Sequence, residues 1–556
     1  MKVYAANAIW VASCLPEWRR FQRSAECVEE AQTALLSRYL TANKTTEYGE
    51  HHHFSAITSP SHYQNQVPLT TYDDYIGHIS RIGEGQGSIL TAEPVRMFEL
   101  SSGSTAACKL IPYTDSLKAE FQRGLAPWIY DLYTNDPDLQ RGPAYWSITP
   151  LTDGRRFTPA GIPIGFDSDS AYLGRLGKWL VDSAMAVPNT VKNISNVDSF
   201  RYVTLLCLLR QPDLRLISVW NPTFLSLLLV PLVEWWDSLL HDIERGTVSM
   251  ADVDLRFAPK PELTHVLQAL SPTHYESLWP HLRLISCWRD GPSRPYARQI
   301  EEMFPHVSLQ GKGLLATEAF VSVPMTGIEG SVLSINSHFF SFIDEAGECL
   351  RAHQIEKGKA YSVVITTGGG FYRYQLHDVI EVVGRWKQIP CIRFVGKADH
   401  ISDWFGEKLE ERFVANILEK VFASHNISPA FAMLAPENNA NGFHYELYIE
   451  SSDCDDNLAK DLDDGLRANF HYDYCRKLGQ LEAVQIVNVR RGTERYLRAC
   501  QARGQKLGNI KPDVLQKTTG WKEWFGEESP LPFAQSGGLR RKRRNLETKR
   551  GEADRQ

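Results

Sequence analysis

Short apolar runs alternate with long helical stretches through the middle of the chain. The strand-like runs are 144–148, 214–220 and 282–288, and the helical stretches are 198–210, 222–245 and 295–304. Strands separated by helices usually pair in parallel, because the crossover helix returns the chain to the same edge of the sheet. The alternation therefore predicts an α/β domain with a largely parallel sheet, whose ligands bind at the carboxyl ends of its strands.

Length and charge limit the class of protein. A chain of 556 residues exceeds what one hydrophobic core usually holds, and a net charge of −6 argues against nucleic-acid binding. The ten cysteines form no CxxC pair, and the apolar run 224–233 is too short to cross a bilayer. We expect no secretory leader, because the first residues lack the basic, apolar and small-residue pattern of one. We expect a cytoplasmic monomer that acts on a small molecule and binds neither membrane nor nucleic acid. We expect the apolar run itself to be a buried helix kinked at Pro231.

A cluster of small hydroxyl residues follows the strand-like run 95–100 and precedes a helix that begins near Thr114, Asp115 or Ser116. It consists of Ser101, Ser102, Gly103, Ser104 and Thr105, with Lys109 close behind. Hydroxyls, backbone N–H groups and one lysine are suited to bind a polyphosphate. The P-loop pattern GxxxxGK[ST] is absent, so an ordinary turn is the alternative.

Three further positions carry polar groups next to predicted strands. Asp290 and Gly291 follow the strand 282–288, and Thr317 and Glu318 follow a predicted strand at 313–316. Asp378 interrupts the apolar strand 371–384, which is predicted to pair with 361–367 through a glycine turn. A buried carboxylate needs a partner such as a sugar diol or a cation. The alternative is an edge-strand aspartate that faces water.

The sequence pattern changes after Lys397. A helix at 407–422, a hairpin at 430–450, a helix at 458–478 and a strand at 483–489 indicate a small α+β domain. We therefore expect a large domain at 1–396, a small domain at 397–530 with a hinge at 397–402, and a disordered basic tail at 531–556.

Six segments in this order resemble the adenylate-forming enzymes, and more closely the auxin-responsive (Gretchen Hagen) family of acyl acid amido synthetases in a bacterial-type version. The segments are SSGSTAACKLIP (101–112), SVWNPTFL (218–225), LISCWRDGPS (284–293), GLLATEA (313–319), FYRYQLHDVIEVVG (371–384) and FVGKADHISDWFGEKLEE (394–411). The resemblance implies a large α/β adenylation domain with mixed sheets and a mobile α+β C-terminal domain.

The same resemblance implies a two-step ligase. A carboxylic acid and ATP, with Mg²⁺, would form an acyl adenylate and pyrophosphate, and an amine such as an amino acid would then displace AMP to form an amide. The alternatives are an acyl-CoA synthetase-like ligase, in which coenzyme A is the acceptor, and a non-catalytic nucleotide-binding regulatory protein.

Site residues follow from the matching motifs. The resemblance implies that the phosphates are held by Ser101, Ser102, Gly103, Ser104, Thr105 and Lys109. Thr317 would bind the α-phosphate, and Glu318 would bind the Mg²⁺. Asp290 and Gly291 would lie along the adenine, and Asp378 would bind the ribose hydroxyls. Lys397 and Asp399 would form the hinge. Lys511 would reach the phosphate or the carboxylate of the acid, with Lys506 as the alternative.

The motifs also differ from the family pattern. Ala106 and His377 stand where glycine is usual, and Ala107 and Cys108 leave Lys109 as the loop's cation. The acid itself is not readable from the motifs. Trp146, Trp220 and Trp288 lie in or end predicted strands, which favours an aromatic or long apolar acid; the alternative is that they belong to the core.

Overall fold

A computed structural model describes residues 2–101, 109–147, 156–165, 183–398, 401–439, 442–451, 457–503, 505 and 510–526. Several sequence predictions fall outside the described residues. They concern Ser102, Gly103, Ser104, Thr105, Ala106, Ala107, Cys108, Asp399, Lys506 and the basic tail 531–556.

The first part of the chain contains the helices and strands of the predicted α/β region. Its described helices are α1 (Lys2–Ser24), α2 (Val28–Asn43), α3 (Glu47–His51), α4 (Pro60–Gln66), α5 (Ile76–Gly83), α6 (Asp115–Asn135), α7 (Val197–Leu209), α8 (Pro222–Leu229), α9 (Leu232–Arg245), α10 (Pro261–Gln268), α11 (Tyr275–Leu278) and α12 (Arg294–Met303). Its described strands are β1 (Met97–Ser101), β2 (Lys109–Tyr113), β3 (Ala144–Trp146), β4 (Arg156–Phe157), β5 (Pro163–Ile164), β6 (Leu216–Ser218), β7 (Leu284–Cys287) and β8 (Ser308–Gly311).

The hydroxyl-rich segment joins two strands. β1 and β2 pair antiparallel with Ser101 opposite Lys109, in a four-stranded sheet of order β2-β1-β5-β4. The prediction that this segment leads directly from a strand into a helix is therefore wrong, because β2 intervenes and Lys109 is its first residue. Thr114 caps α6 by accepting a hydrogen bond from the Leu117 N–H at 3.1 Å.

The parallel sheet is confirmed. β3, β6, β7 and β8 pair in this order, all parallel, and α7 to α12 pack around them in a core that includes Phe200, Leu225 and Trp279. The predicted kinked helix at 222–245 is two helices, α8 and α9, bent by 66°. Within the described residues no single helix is long and apolar enough to span a membrane. α8 and α9 reach that length and apolar composition only when the two are taken together.

A seven-stranded antiparallel sheet follows. Its strands are β9 (Ser322–Val323), β10 (Ser331–Leu333), β11 (Phe339–Ile343), β12 (Cys349–Arg351), β13 (Ala360–Thr366), β14 (Tyr374–Trp386) and β15 (Ile389–Lys397), in the order β12-β11-β13-β14-β15-β10-β9. β14 lies between β13 and β15, so the edge-strand alternative for Asp378 is wrong. The prediction of a strand at 313–316 is also wrong: Leu315 forms only a single bridge with Phe320, and the chain then turns tightly between Ala316 and Ala319.

The C-terminal part contains β16 (Ile401–Ser402), β17 (Leu409–Glu410), α13 (Glu411–Ser424), β18 (Phe431–Asn439), β19 (Gly442–Glu450), α14 (Leu458–Leu466), α15 (Phe470–Lys477), β20 (Gln485–Asn488), α16 (Gly492–Ala502) and α17 (Lys522–Phe525). The predicted helix at 407–422 begins later, at Glu411, because β17 pairs with β16. The predicted helix at 458–478 is broken at Asn469, whose side chain caps α15. β18, β19 and β20 form one sheet.

Candidate active site

Two buried carboxylates and three lysines meet where β2, β14 and β15 approach the turn at 317–318 and the segment 510–513. Lys397 lies opposite Asp378 across β14 and β15, and its Nζ is 3.9 Å from the Asp378 Oδ1 atom. The charges of Lys397, Lys109 and Asp378 shift the pKa of Glu318, so these groups lie within electrostatic range of it. Asp378 and Glu318 likewise act on the pKa of Lys511. Charged groups in a shared, largely buried site are typical of a binding or catalytic centre.

Asp378 is the most unusual member of this group. It is 3 % exposed in the middle of the sheet, and no hydrogen-bond donor among the described residues reaches its buried Oδ1 atom. The Lys397 ammonium lies at ion-pair distance only. A buried carboxylate oxygen without a donor is costly, so this site favours a ligand that brings hydroxyl donors to it.

His377 has the backbone conformation that glycine adopts most easily. Its φ is +60°, and its carbonyl oxygen accepts a 2.7 Å hydrogen bond from the Ala398 N–H just beyond β15. The sequence departure at this position therefore has a structural cost: a left-handed residue in a β-strand is strained when it carries a Cβ.

We expect glycine to give a more stable protein than alanine at position 377, which is the reverse of the usual order in a strand. His377→Gly should be more stable than His377→Ala by about 1 kcal/mol, because alanine keeps the left-handed strain of roughly 1–2 kcal/mol that glycine avoids. At Gln375, in the same strand with ordinary φ, alanine should be the more stable, since glycine costs roughly 0.5–1 kcal/mol there. Chemical unfolding of the four variants measures both differences. The same order at both positions would contradict the strain.

The turn at Thr317 and Glu318 is fixed from both sides. The Tyr113 hydroxyl donates to the Thr317 carbonyl oxygen at 2.5 Å, and the Phe320 N–H donates to the His338 Nε2 atom at 3.0 Å. His338 Nδ1 in turn lies 2.9 Å from Glu120 Oε2, and both residues are buried. Because Nε2 accepts, Nδ1 carries the proton, and the Glu120–His338 pair holds the turn in place.

Glu318 is a buried carboxylate suited to bind a cation. It is 7 % exposed, and burial raises its pKa, while Lys397 and Lys109 oppose that shift. A divalent cation at this carboxylate would stabilise its ionised form in the same way. Carboxylate oxygen is a preferred ligand of Mg²⁺, so the donor chemistry fits this ion.

Asp290 and Gly291 begin the short turn after β7. Gly291 has φ +56°, and a Cβ there would lie 3.1 Å from the Phe394 ring of β15. Glycine thus lets the turn pack closely against β15 at Phe394 and Val395. Burial raises the pKa of Asp290, and Arg393, Arg289 and Arg294 oppose the shift.

Lys511 enters the site from the C-terminal part of the chain. Its Nζ lies 5.1 Å from the centroid of the Trp288 ring and 5.8 Å from that of Phe394. Burial lowers its pKa, and Asp378 opposes that shift. The preceding carbonyl, that of Ile510, accepts a 2.7 Å hydrogen bond from the buried Asn221 side chain, so the large domain holds the lysine segment directly.

The carboxyl edge of the parallel sheet adds an aromatic wall to the site. Trp146 ends β3, Trp220 follows β6 and Trp288 follows β7; all three are half-buried, and the rings of Trp220 and Trp288 lie 6.1 Å apart. Lys312, directly after β8, lies against Trp220. Trp220 and Trp288 therefore line the edge that the sequence predicted for ligands. Trp146 instead packs against Trp10 and Trp128 of the core, as the alternative for it predicted.

The structure thus brings together Glu318, Asp378, Lys397, Lys109 and Lys511, with Thr317, Asp290 and Gly291 beside them. Ser101 lies opposite Lys109 at the end of β1. Sequence reasoning missed Tyr113, Asn221, His338 and Lys312, which act on the site through contacts distant in the chain. Asn221 lies in the segment 218–225, and Lys312 directly precedes the segment 313–319. These positions were the only features of the sequence that could have pointed to the two residues.

Comparisons with known proteins identify the family of the chain. The GH3 family N-terminal domain matches residues 17–309, the central domain 331–397 and the C-terminal domain 411–520. Indole-3-acetic acid-amido synthetase GH3.3 of Arabidopsis thaliana is 24% identical over 459 residues, covering 76% of this chain and 75% of the relative. Jasmonoyl--L-amino acid synthetase JAR6 of Nicotiana attenuata is 26% identical over 517 residues, covering 83% and 86%.

A solved structure shows the same fold. The GH3.15 acyl acid amido synthetase superposes with a TM-score of 0.78 at 20% identity, over 91% of this chain and 94% of that one. The predicted fold class, a large α/β domain with mixed sheets followed by a smaller α+β domain, is confirmed. With family domains matched from residue 17 to residue 520, the chain belongs to the GH3 family.

Proposed function

We propose that this protein is an ATP-dependent ligase that adenylates a carboxylic acid and transfers the acyl group to an amine to form an amide. The proposed amine is an amino acid. The observation that carries the proposal is the meeting of Glu318, Asp378, Lys397, Lys109 and Lys511 in one largely buried site. The named GH3 relatives, which are amido synthetases of indole-3-acetic and jasmonic type, support it.

The residues present fit ATP and Mg²⁺. Asp378 offers a buried oxygen without a donor, which suits the two hydroxyls of a ribose. Glu318 would bind Mg²⁺, and Lys109 and Ser101 stand at the mouth of the hydroxyl-rich segment that would hold the phosphates. Asp290 and Gly291 would lie along the adenine. Mg²⁺, when bound, neutralises charge that develops on the phosphate oxygens.

Lys511 would act on the reacting groups themselves. A carboxylate is a poor electrophile until one of its oxygens becomes a leaving group, and negative charge builds at the phosphate as pyrophosphate departs. A cation held in a partly dry site stabilises that charge far more than it would in water. Thr317, on the fixed turn, would donate to the same phosphate.

The second step needs access for the amine. We propose that the region from 397 to 530 moves as a small domain about Lys397 to Ser402, which would withdraw Lys511 once adenylation is complete and admit the acceptor. The contacts that hold Lys511 in the described arrangement, from Asn221 and Trp288, would then break and reform in each cycle.

The test is acid-dependent exchange of labelled pyrophosphate into ATP across a broad panel of carboxylic acids. Exchange with at least one acid is expected, and its absence with every acid would reject adenylation. Product mass spectrometry with a mixture of amino acids, and separately with coenzyme A, then identifies the acceptor. An acyl-CoA product without any amide would reject the amine as acceptor.

Asp378→Ala should lower ATP affinity at least about tenfold. Charge-assisted hydrogen bonds to two ribose hydroxyls are each worth about 1.5–3 kcal/mol before water compensates. Melting without ligand should stay unchanged or rise, because the variant removes a buried carboxylate whose Oδ1 has no donor. Calorimetric titration and apo melting curves measure the two effects.

The ribose analogue 2′-deoxy-ATP is the matched control for that variant. The wild type should bind it more weakly than ATP, whereas Asp378→Ala should bind both equally. Equal discrimination by the two proteins would show that Asp378 does not contact the ribose. A large loss of apo stability with unchanged ATP affinity would assign it a purely structural role.

A further inference from the structure

Lys312 is a buried lysine at the carboxyl edge of the parallel sheet. It directly follows β8 and is 9 % exposed. Its Nζ donates a 2.6 Å hydrogen bond to the Ser218 hydroxyl at the end of β6, and it lies 4.8 Å from the centroid of the Trp220 ring and 5.4 Å from that of Trp128. The ammonium is therefore enclosed by two indoles and one hydroxyl.

This amine has no acidic partner in the part of the chain that the structure describes. None of the salt bridges there involves Lys312, and the ionisable group that acts on its charge is the Cys287 thiol. The Ser218 hydroxyl occupies one of its three donors. Burial lowers its pKa to about 7. Buried lysines are normally paired, and the faces of two indoles compensate only part of the lost hydration.

A purely structural role does not require this residue type. Tying β6 to the segment after β8 needs one donor to Ser218, which a small neutral side chain supplies without burying a charge. The position of Lys312 suggests more: the Trp220 ring lies against it, the Trp288 ring lies 6.1 Å from Trp220, and Lys511 lies against Trp288. The Trp220 and Trp288 rings thus lie between the Lys312 and Lys511 amines along the sheet edge.

We propose that Lys312 is a specificity-determining residue that binds a second acceptor oxygen of the acid substrate, a hydroxyl or carboxylate on the opposite end of an aromatic body from the reacting carboxylate. This inference rests on the proposed ligase function. The reacting carboxylate is held at the Lys511 end, the ring packs along Trp220 and Trp288, and the distal oxygen accepts from the Lys312 ammonium. An acid without that oxygen leaves the buried amine unpaired and binds less well.

The experiment compares matched acids in the wild type and Lys312→Met. The acids are benzoate, phenylacetate and 3-phenylpropanoate, each unsubstituted, para-hydroxylated and para-carboxylated. In pyrophosphate exchange the wild type is expected to prefer a substituted acid over its parent by at least about tenfold in kcat/KM. Lys312→Met should abolish or reverse that preference with the KM for ATP unchanged, because methionine keeps the volume and removes the amine. The same preference in both proteins would overturn the proposal.

Two further variants separate specificity from folding. Ser218→Ala retains the amine and is expected to keep the preference. Lys359→Met removes a lysine whose side chain is 60% exposed and should change neither preference nor melting. Loss of the preference in Lys312→Met and Ser218→Ala together, with lowered melting temperatures in both, would assign the pair a structural role and overturn the proposal.

Direct binding keeps this inference distinct from the proposed function. Calorimetry measures the affinity of the same acids for the full-length protein without ATP. If no acid supports exchange, the ligase proposal fails, and tighter binding of the substituted acids to wild type than to Lys312→Met still supports the amine as a subsite. Substituted acids that bind no more tightly than their parents overturn the inference, whatever the exchange assay shows.

Discussion

Replacing Lys511 by methionine is expected to lower acid-dependent pyrophosphate exchange by roughly 10²- to 10³-fold, the loss typical of removing one donor aimed at developing charge. Lys511 is the cation that the C-terminal segment brings into a site already containing Asp378 and Glu318. Its ammonium lies over Trp288, next to the edge where the acid would bind. The effect should fall on kcat, with a much smaller change in the affinity for ATP.

Lys460→Met is the matched control. Lys460 lies in the same C-terminal region, its side chain is 76% exposed, and its ion pair with Asp464 is on the surface. Exchange should stay at the wild-type rate in this variant, because exposed pairs contribute little. If Lys511→Met also keeps the wild-type rate, the lysine does not act in adenylation. A loss of the same size in Lys460→Met would point to a general effect on the C-terminal region instead.

Glu318→Gln is expected to lower adenylation on the order of a hundredfold, because it removes a charged metal ligand from a transition state that needs the cation. Folding should hardly change, since burial already disfavours the charged form of this side chain. The concentration of Mg²⁺ required for half-maximal exchange should rise in the variant. Exchange measured over a range of Mg²⁺ concentrations, with melting curves alongside, tests both statements.

Glu345→Gln provides the comparison for that variant. Glu345 is exposed on the turn between β11 and β12, and its substitution should leave exchange and Mg²⁺ dependence unchanged. Wild-type exchange by Glu318→Gln at limiting Mg²⁺ would show that Glu318 is not the metal ligand. The assignment of the Thr317–Glu318 turn to the phosphate and metal would then fail with it.

Local patterns in the sequence were enough to predict the parallel sheet. Apolar runs of strand length separated by helices of crossover length specify β3, β6 and β7 without reference to the rest of the chain. The same local patterns failed where long-range pairing overrides them. Lys109 was expected in a loop but lies in β2, since its strand forms only by pairing with β1. The strand expected at 313–316 is reduced to one bridge, between Leu315 and Phe320.

The sequence by itself determined the fold class, the family motifs and the types of side chain that a nucleotide and an acid require. Only the tertiary structure decided which of them meet. Asp378 is buried because β13 and β15 flank its strand, and Lys511 enters the site because Asn221 holds the carbonyl before it. Lys312 is a binding candidate because strands far apart in sequence place Ser218, Trp220 and Trp128 around it. Burial and charge pairing depend on distances in space, which local patterns do not contain.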